Sequence, residues 1–551
     1  MYLVSAAALI LLASGAVLLG GTILLFVFND PSAETSRGQL AYYTALIIAG
    51  LLVWTPAILY SQRLARDPPY ERTSALRRLY LYWACLVGSV GAMVAINISL
   101  GQLLMPVLDN QVFDNQVFNN QVFTYLTAAQ AGWAAIVLAS VWGFHFWIAW
   151  RDRARAGEEG TSSTLRRWYM YVALLVGLLT MLAGIQQSLQ LGWHRLVTDN
   201  ASPGGFLSSA VALMISGAVL WGVNARVIAV KHISEDRHST LRALEGFIAV
   251  AVSIGTALFG ASQILYYALA RALGVPNPGN AGSDVLAALA GPGSQLLVYG
   301  VAWVLISRRL ARDAGTQEAD RQAGIRRLYT NLAALISLAA WAWGAGSLLW
   351  TLFEQLEAPI IGVRAGSDWK DSISVSITLL VVGGAVWIAH WRHSPWAADR
   401  QSLSRKLYVW AALLGSVLAV LGGAVGMINA VLQQVFSANP RLDATSNLDF
   451  AHYLAVIVVA AGVGFYHFTV LRSDNSARPA KVPVAKPSAQ PAMVSQSAPL
   501  SVAAETVPAD GHRYTLVVHD ATEDDVHQAL ASLPPHASYK LTHAEQPVDG
   551  R

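Results

Sequence analysis

Charge is what this chain lacks most. Charged residues fill 13% of its 551 positions, against about 25% in an ordinary soluble domain. A soluble chain of this length would need roughly three or four domains, each with a polar surface, and the charge for those surfaces is missing. Cysteine is nearly absent too. Cys85 stands alone, which excludes an internal disulfide framework and any Cys-based metal cluster. The familiar chemical signatures are missing as well: no P-loop, dinucleotide fingerprint, His-Glu-x-x-His or Gly-x-Ser-x-Gly occurs. No catalytic, cofactor-binding or metal site is therefore assigned and no cofactor is expected; whether the chain is an enzyme stays open, with the sequence leaning against it. A basic face for nucleic acid is also lacking. The net charge of +4 divides into 30 Lys+Arg against 24 Asp+Glu over residues 1–471, and 7 against 9 beyond. Basicity here concerns orientation in a membrane.

What is present is apolar. Hydrophobic residues make up 54% of the chain. They fall in twelve blocks near 3–28, 39–61, 78–105, 124–150, 166–190, 206–230, 242–272, 285–308, 326–353, 372–392, 405–433 and 450–471. Blocks of this length match a hydrocarbon core about 30 Å thick. Barrel strands would alternate and run about ten residues, so these spans must be helices. The expected fold is an all-α polytopic membrane protein with the lipid bilayer as its first partner. Residues 1–28 lack the basic lead of a signal peptide and are read as the first span.

The loops alternate in charge. Those after even-numbered spans carry 24 Lys+Arg, counting flanking residues, and those after odd-numbered spans carry six: Arg37, Arg195, Arg271, Arg364, Lys370 and Arg441. Basic loops face the cytoplasm. The expected location is the cell (inner) membrane, with both termini cytoplasmic.

An internal repeat organises the spans. Four odd-numbered spans open alike: Arg77-Arg78-Leu79-Tyr80, Arg166-Arg167-Trp168-Tyr169, Arg326-Arg327-Leu328-Tyr329 and Arg405-Lys406-Leu407-Tyr408. The basic pair is expected among headgroups and the Tyr at interface depth. In a fifth, degraded copy, Arg242-Ala243-Leu244-Glu245, Glu245 stands in the Tyr place. Even-numbered spans carry a Trp and, three residues on, a second marked position: Trp54/Ala57, Trp142/His145, Trp221/Asn224, Trp303/Ile306 and Trp387/His390, with Gly464/His467 in the last. The unit is a two-helix hairpin of about 80 residues used six times, every copy starting from the same side, so the repeats are parallel. The copies stand either as two halves, 1–238 and 239–472, or as six independent units.

This layout resembles bacterial multi-pass membrane proteins built from a repeated two-helix domain of unknown function. The resemblance rests on the Arg-Arg-x-Tyr and Trp-x-x-His phrases and covers about residues 40–471. It implies the fold and the location and brings no mechanism.

Polar residues inside spans are costly and invite functional readings. Glu245 is either an interfacial partner for Arg242 or a proton- or cation-coupling site. A hydrogen-bond donor from another hairpin is expected beside it. His145, His390 and His467 share one depth, where His can bond a carbonyl, switch protonation or ligate a metal or haem. Asn224 holds the same place in its span. Asn97, Gln186 and Gln263 lie seventeen or eighteen residues past the repeat anchors, roughly 25 Å along their helices. They are either glue between helices or the lining of an outward vestibule. Gly291-Pro292-Gly293 interrupts the eighth span, where a broken helix would line a cavity.

Beyond the bundle, 1–472, a Pro/Ala/Ser linker over 473–512 leads to a small cytoplasmic β-α-β module over 513–551. That module is too small to stand alone and is expected to dock a protein partner or itself. His519, Glu523 and His527 fall one helical turn apart within it. The favoured function is a small-solute transporter or permease-like protein. The alternative is a non-transporting scaffold or sensor whose tail docks a partner. A transporter should hold a polar cavity at mid-depth, and a scaffold should pack dry.

Overall fold

The computed structural model describes residues 1–66, 72, 74–109, 117–157, 161–197, 206–231, 239–280, 284–314, 320–361, 368–391, 402–436 and 444–476. The chain divides into one unit, Met1–Arg478, and a second, Pro479–Arg551. The expected β-α-β module, the His519/Glu523/His527 spacing and most of the linker lie outside the described residues.

Twelve helices are long and apolar enough to cross a membrane, the makeup of a multi-pass membrane protein. They are α1 (Tyr2–Val27), α2 (Arg37–Leu64), α3 (Ala75–Leu108), α4 (Val117–Ala156), α5 (Thr161–Val197) and α6 (Leu207–Lys231), then α7 (Thr240–Ala272), α8 (Ala290–Ala314), α9 (Asp320–Ile361), α10 (Trp369–Trp391), α11 (Leu403–Phe436) and α12 (Ala444–Ser476). No strand occurs among the described residues. Several helices outrun their apolar blocks. α4 is 40 residues long, because the polar residues flanking its span include neither Gly nor Pro to stop it. α12 likewise runs through Ser476, so the linker starts later than residue 473.

Packing follows the chain. Each odd-numbered helix packs most extensively on its successor, α1 on α2 through α11 on α12. The junctions between these pairs have one form: α1 packs on α3 and α4, α3 on α5 and α6, α5 on α7 and α8, α7 on α9 and α10, and α9 on α11 and α12. Odd helices from α3 to α9 are thus held between two neighbouring pairs. Small residues let the backbones meet. A Cβ added to Gly260 of α7 would lie 2.6 Å from the Pro292 carbonyl oxygen of α8, so only glycine permits that approach.

At one end of the bundle the polar ties are few and specific. The carboxylate of Asp109 accepts from the Leu207 and Ser208 backbone N–H groups at 2.8 and 3.2 Å, capping α6. It also pairs with Arg195 at 2.7 Å. The opposite end carries the Arg-rich phrases and holds most of the buried charge.

Candidate functional site

The Arg-rich end is built by the repeat. Arg77 and Arg78 are buried rather than spread among headgroups, as are Tyr80, Tyr169 and Tyr408. The expectation of interfacial anchors is corrected here: these residues bond between helices, because a buried guanidinium or hydroxyl must find partners. Arg77 donates to Asp152 at 2.7 Å and to the Ser61 carbonyl and hydroxyl at 3.1 and 3.2 Å. Arg242 pairs with Asp313 at 2.7 Å, and Arg405 with Asp474 at 2.8 Å. The three acids stand 161 residues apart in each step. Sequence reasoning missed them, although that spacing was readable.

Two of the three histidine positions complete a hydrogen-bond chain. Nδ1 of His145 lies 2.8 Å from the Val141 carbonyl, so it carries the proton and leaves Nε2 as acceptor. The Tyr80 hydroxyl donates to that Nε2 at 3.0 Å and accepts from Trp54 Nε1 at 2.9 Å. Trp387, Tyr408 and His467 repeat the chain at 2.9 and 2.9 Å, with His467 Nδ1 on the Val463 carbonyl. His390 makes the same carbonyl bond, to Val386 at 2.8 Å, but meets the Tyr329 ring only edge-on. Asn224 donates to the Leu220 carbonyl of its own helix. The three histidines lie in three separate helix pairs. No group of three His, Cys, Asp or Glu poised for a metal occurs among the described residues.

Glu245 is buried and faces protein. Arg309 of α8 donates to its Oε2. The donor therefore comes from Glu245's own helix pair, which corrects the expectation of a donor from another. Arg242, the expected partner, is engaged with Asp313 instead. The Tyr171 side chain of α5 bonds Arg242, so the quartet Arg242, Glu245, Arg309 and Asp313 is also tied to α5.

At the other end of the same three helices lies a cavity of about 360 Å³. Gln190 and His194 of α5, Gln263 and Tyr267 of α7, and Gly291 and Gln295 of α8 line it. α8 is preceded by a separate turn of helix, Val285–Ala288, capped by Asp284 through bonds to the Leu286 and Ala287 N–H groups. The break falls at Leu289, with Pro292 in the first turn of α8, where its missing N–H costs nothing. α5 clamps both sides of the break. Trp193 Nε1 donates to the Leu286 carbonyl at 3.0 Å, and Gln186 Nε2 donates to Ser294 Oγ at 3.0 Å. Gln186 also donates to Gln190 Oε1 at 2.9 Å. Of the expected amides, Gln263 lines the cavity beside Gln190 and Gln295, and Gln186 supports it through its bonds to Gln190 and Ser294. Asn97 lies on α3, its carbonyl oxygen buried without a partner. Between cavity and quartet the three helices close in an apolar layer that includes Leu182, Ala249, Val250, Ala257, Val298 and Ala302.

A second groove, of about 800 Å³, lies between α1, α3 and α4, walled mainly by Ile23, Leu24, Leu103, Trp133 and Ile136. It is apolar and presents only Ser99 and Tyr125 as polar side chains besides the Trp133 indole.

A family profile described as a domain of unknown function (DUF5671) matches residues 1–134, 118–198 and 327–462, together more than half of the chain. No protein of curated function and no solved structure matches. Glu245, the quartet and the α8 break all fall between residues 198 and 327, the stretch those matches leave out.

Proposed function

The chain belongs to the DUF5671 family, and from that premise we propose that it is a small-solute transporter of permease type, with its pathway between α5, α7 and α8. One observation carries this reading: a polar cavity, an apolar layer and a charged quartet are stacked along the same three helices. The excess of Lys and Arg at the quartet's end makes that end cytoplasmic and the cavity outward. The cavity lies toward the outer end rather than at mid-depth, the arrangement of an outward-open state. The quartet is then the inner gate, and alternate access requires its two ion pairs to part as the apolar layer separates. The six helix pairs are parallel repeats in the cell membrane, and the 161-residue interval between the paired acids favours three four-helix units over two halves. A scaffold or sensor would have no use for a polar cavity stacked on an apolar layer and a charged quartet.

Thiol labelling tests this. Cys85 is buried and gives a silent background. Ala288→Cys, at the cavity wall, should react with a membrane-impermeant maleimide added outside. Glu245→Gln or Asp313→Asn, each weakening the inner gate, should slow that reaction by shifting the protein toward an inward-open state. Labelling that is absent, or is unchanged by both gate variants in folded protein, overturns the transporter reading.

A further inference from the structure

The wall of the α5–α7–α8 cavity is polar, and besides the Tyr267 hydroxyl its one titratable side chain is His194. Among the described residues its lining holds no Asp, Glu, Lys or Arg. Nearby charges at that end are engaged elsewhere. Asp371 accepts from the Tyr266 hydroxyl at 2.6 Å, Arg195 pairs with Asp109, and Arg271 donates to the Pro276 carbonyl at 2.7 Å. What the wall does offer is a matched set of neutral donors and acceptors. Gln186 holds the Gln190 carbonyl oxygen, which fixes that amide and leaves its Nε2 on the cavity side, against Gly291. Gly291 lies against that amide: a Cβ there would stand 3.4 Å from Nε2, in ordinary van der Waals contact. Gln295 Oε1 is buried with no partner. That oxygen is closed off from solvent, while Gln295 itself lines the cavity. Gln263 adds a donor and an acceptor, and Tyr267 adds a hydroxyl and an aromatic face.

We infer that this cavity binds an uncharged polyhydroxy solute, a sugar or sugar alcohol, through Gln190, Gln263 and Gln295. The inference rests on the pathway proposed above and names the substrate class of that site. Two alternatives lose on physical grounds. An ion would surrender its hydration with no Asp, Glu, Lys or Arg in the described wall to meet it, at several kcal/mol. An apolar solute would leave the three amides unsatisfied. A hydroxyl is donor and acceptor at once, so a polyol can serve the Gln190 and Gln263 amides together. Its C–H faces suit the Tyr267 ring. The volume of about 360 Å³ sits near the low end of the range of about 300–1,000 Å³ for small-molecule sites.

Protection from labelling decides the matter in the full chain. Ala288→Cys, or Ala287→Cys if the first variant folds poorly, is treated with maleimide in the presence of xylitol, myo-inositol, glucose, glutamate or lysine. At least one of the three neutral polyols should slow labelling saturably, and glutamate and lysine should not. Gln263→Leu or Gln295→Leu in the same background should raise the protecting concentration roughly tenfold, the equivalent of about 1.4 kcal/mol. Protection by glutamate or lysine, or by none of the five, overturns the substrate class. In either case gate-dependent labelling without added solute still stands for the pathway, so the two proposals fail separately. Protection by a polyol that both leucine variants leave intact also overturns the assignment to these amides.

Discussion

The junctions at Tyr80 and at Glu245 occupy the same place in the repeat, and they are solved by different chemistry. At Tyr80 a neutral chain runs from Trp54 through the hydroxyl to His145. At Glu245 the histidine position is Ile306, and the bond comes from Arg309, one turn farther along α8. The two changes belong together. A neutral histidine that gives its proton to a carbonyl offers a carboxylate only a second acceptor, whereas Arg309 brings Glu245 a donor and a counter-charge together. The surrounding scaffold is common to both, since Arg77–Asp152 and Arg242–Asp313 occupy matching places. The neutral junction locks two helix pairs together. The charged one binds α7 to α8 by pairs that water can part, since Arg309 remains 29% exposed at its side chain. The transport proposed above needs one junction of the second kind, and this one falls on the helices that carry the cavity.

Five substitutions break or sharpen this contrast. The largest effect is expected at the shared scaffold. Arg77→Met leaves Asp152 buried without its cation and should cost about 3–5 kcal/mol, read as loss of folded protein in detergent or as a steep fall in unfolding midpoint. Arg242→Met should cost less, because its pair is more exposed, with side chains at 14% and 15% against 1% and 6% for Arg77 and Asp152. A deficit equal to that of Arg77 would mean that α7–α8 is locked as tightly as its siblings. Next comes Glu245→Leu, expected to cost about 2 kcal/mol with Arg309 present and clearly less in a Glu245→Leu/Arg309→Met double variant. An additive double-mutant cycle would remove the ion pair from the account of the gate. Tyr80→Phe takes one partner from Trp54 and one from His145 and should cost about 1–2 kcal/mol. Tyr329→Phe should be the mildest, within about 0.5 kcal/mol, because the Tyr329 ring meets His390 edge-on without the hydrogen bond that Tyr80 makes. Equal losses at Tyr80 and Tyr329 would show that the hydroxyl chain adds nothing to ring packing.

The sequence by itself determined the number of helices and the pairing of neighbours. Length and hydropathy suffice for that, because the bilayer is a solvent of fixed thickness and each backbone group must be satisfied inside its own helix. It also singled out Glu245, Gln186 and Gln263, since a polar side chain stands out against an apolar span. Only the tertiary structure decided what those residues touch. Arg77 and Tyr80 read as interface anchors and are buried instead. Asp152 and Arg309 did not stand out in the sequence and are partners of buried groups. The reason is geometric. Interface anchoring and interhelical bonding call for the same Arg, Tyr and Trp at the same depth. Which one occurs depends on whether lipid or another helix covers that face, and the covering helix lies some 60 to 75 residues away, as Glu245–Arg309 and Arg77–Asp152 show. The cavity was equally out of reach. Its walls come from three helices, and no periodicity within one helix records where a neighbour's backbone stops short.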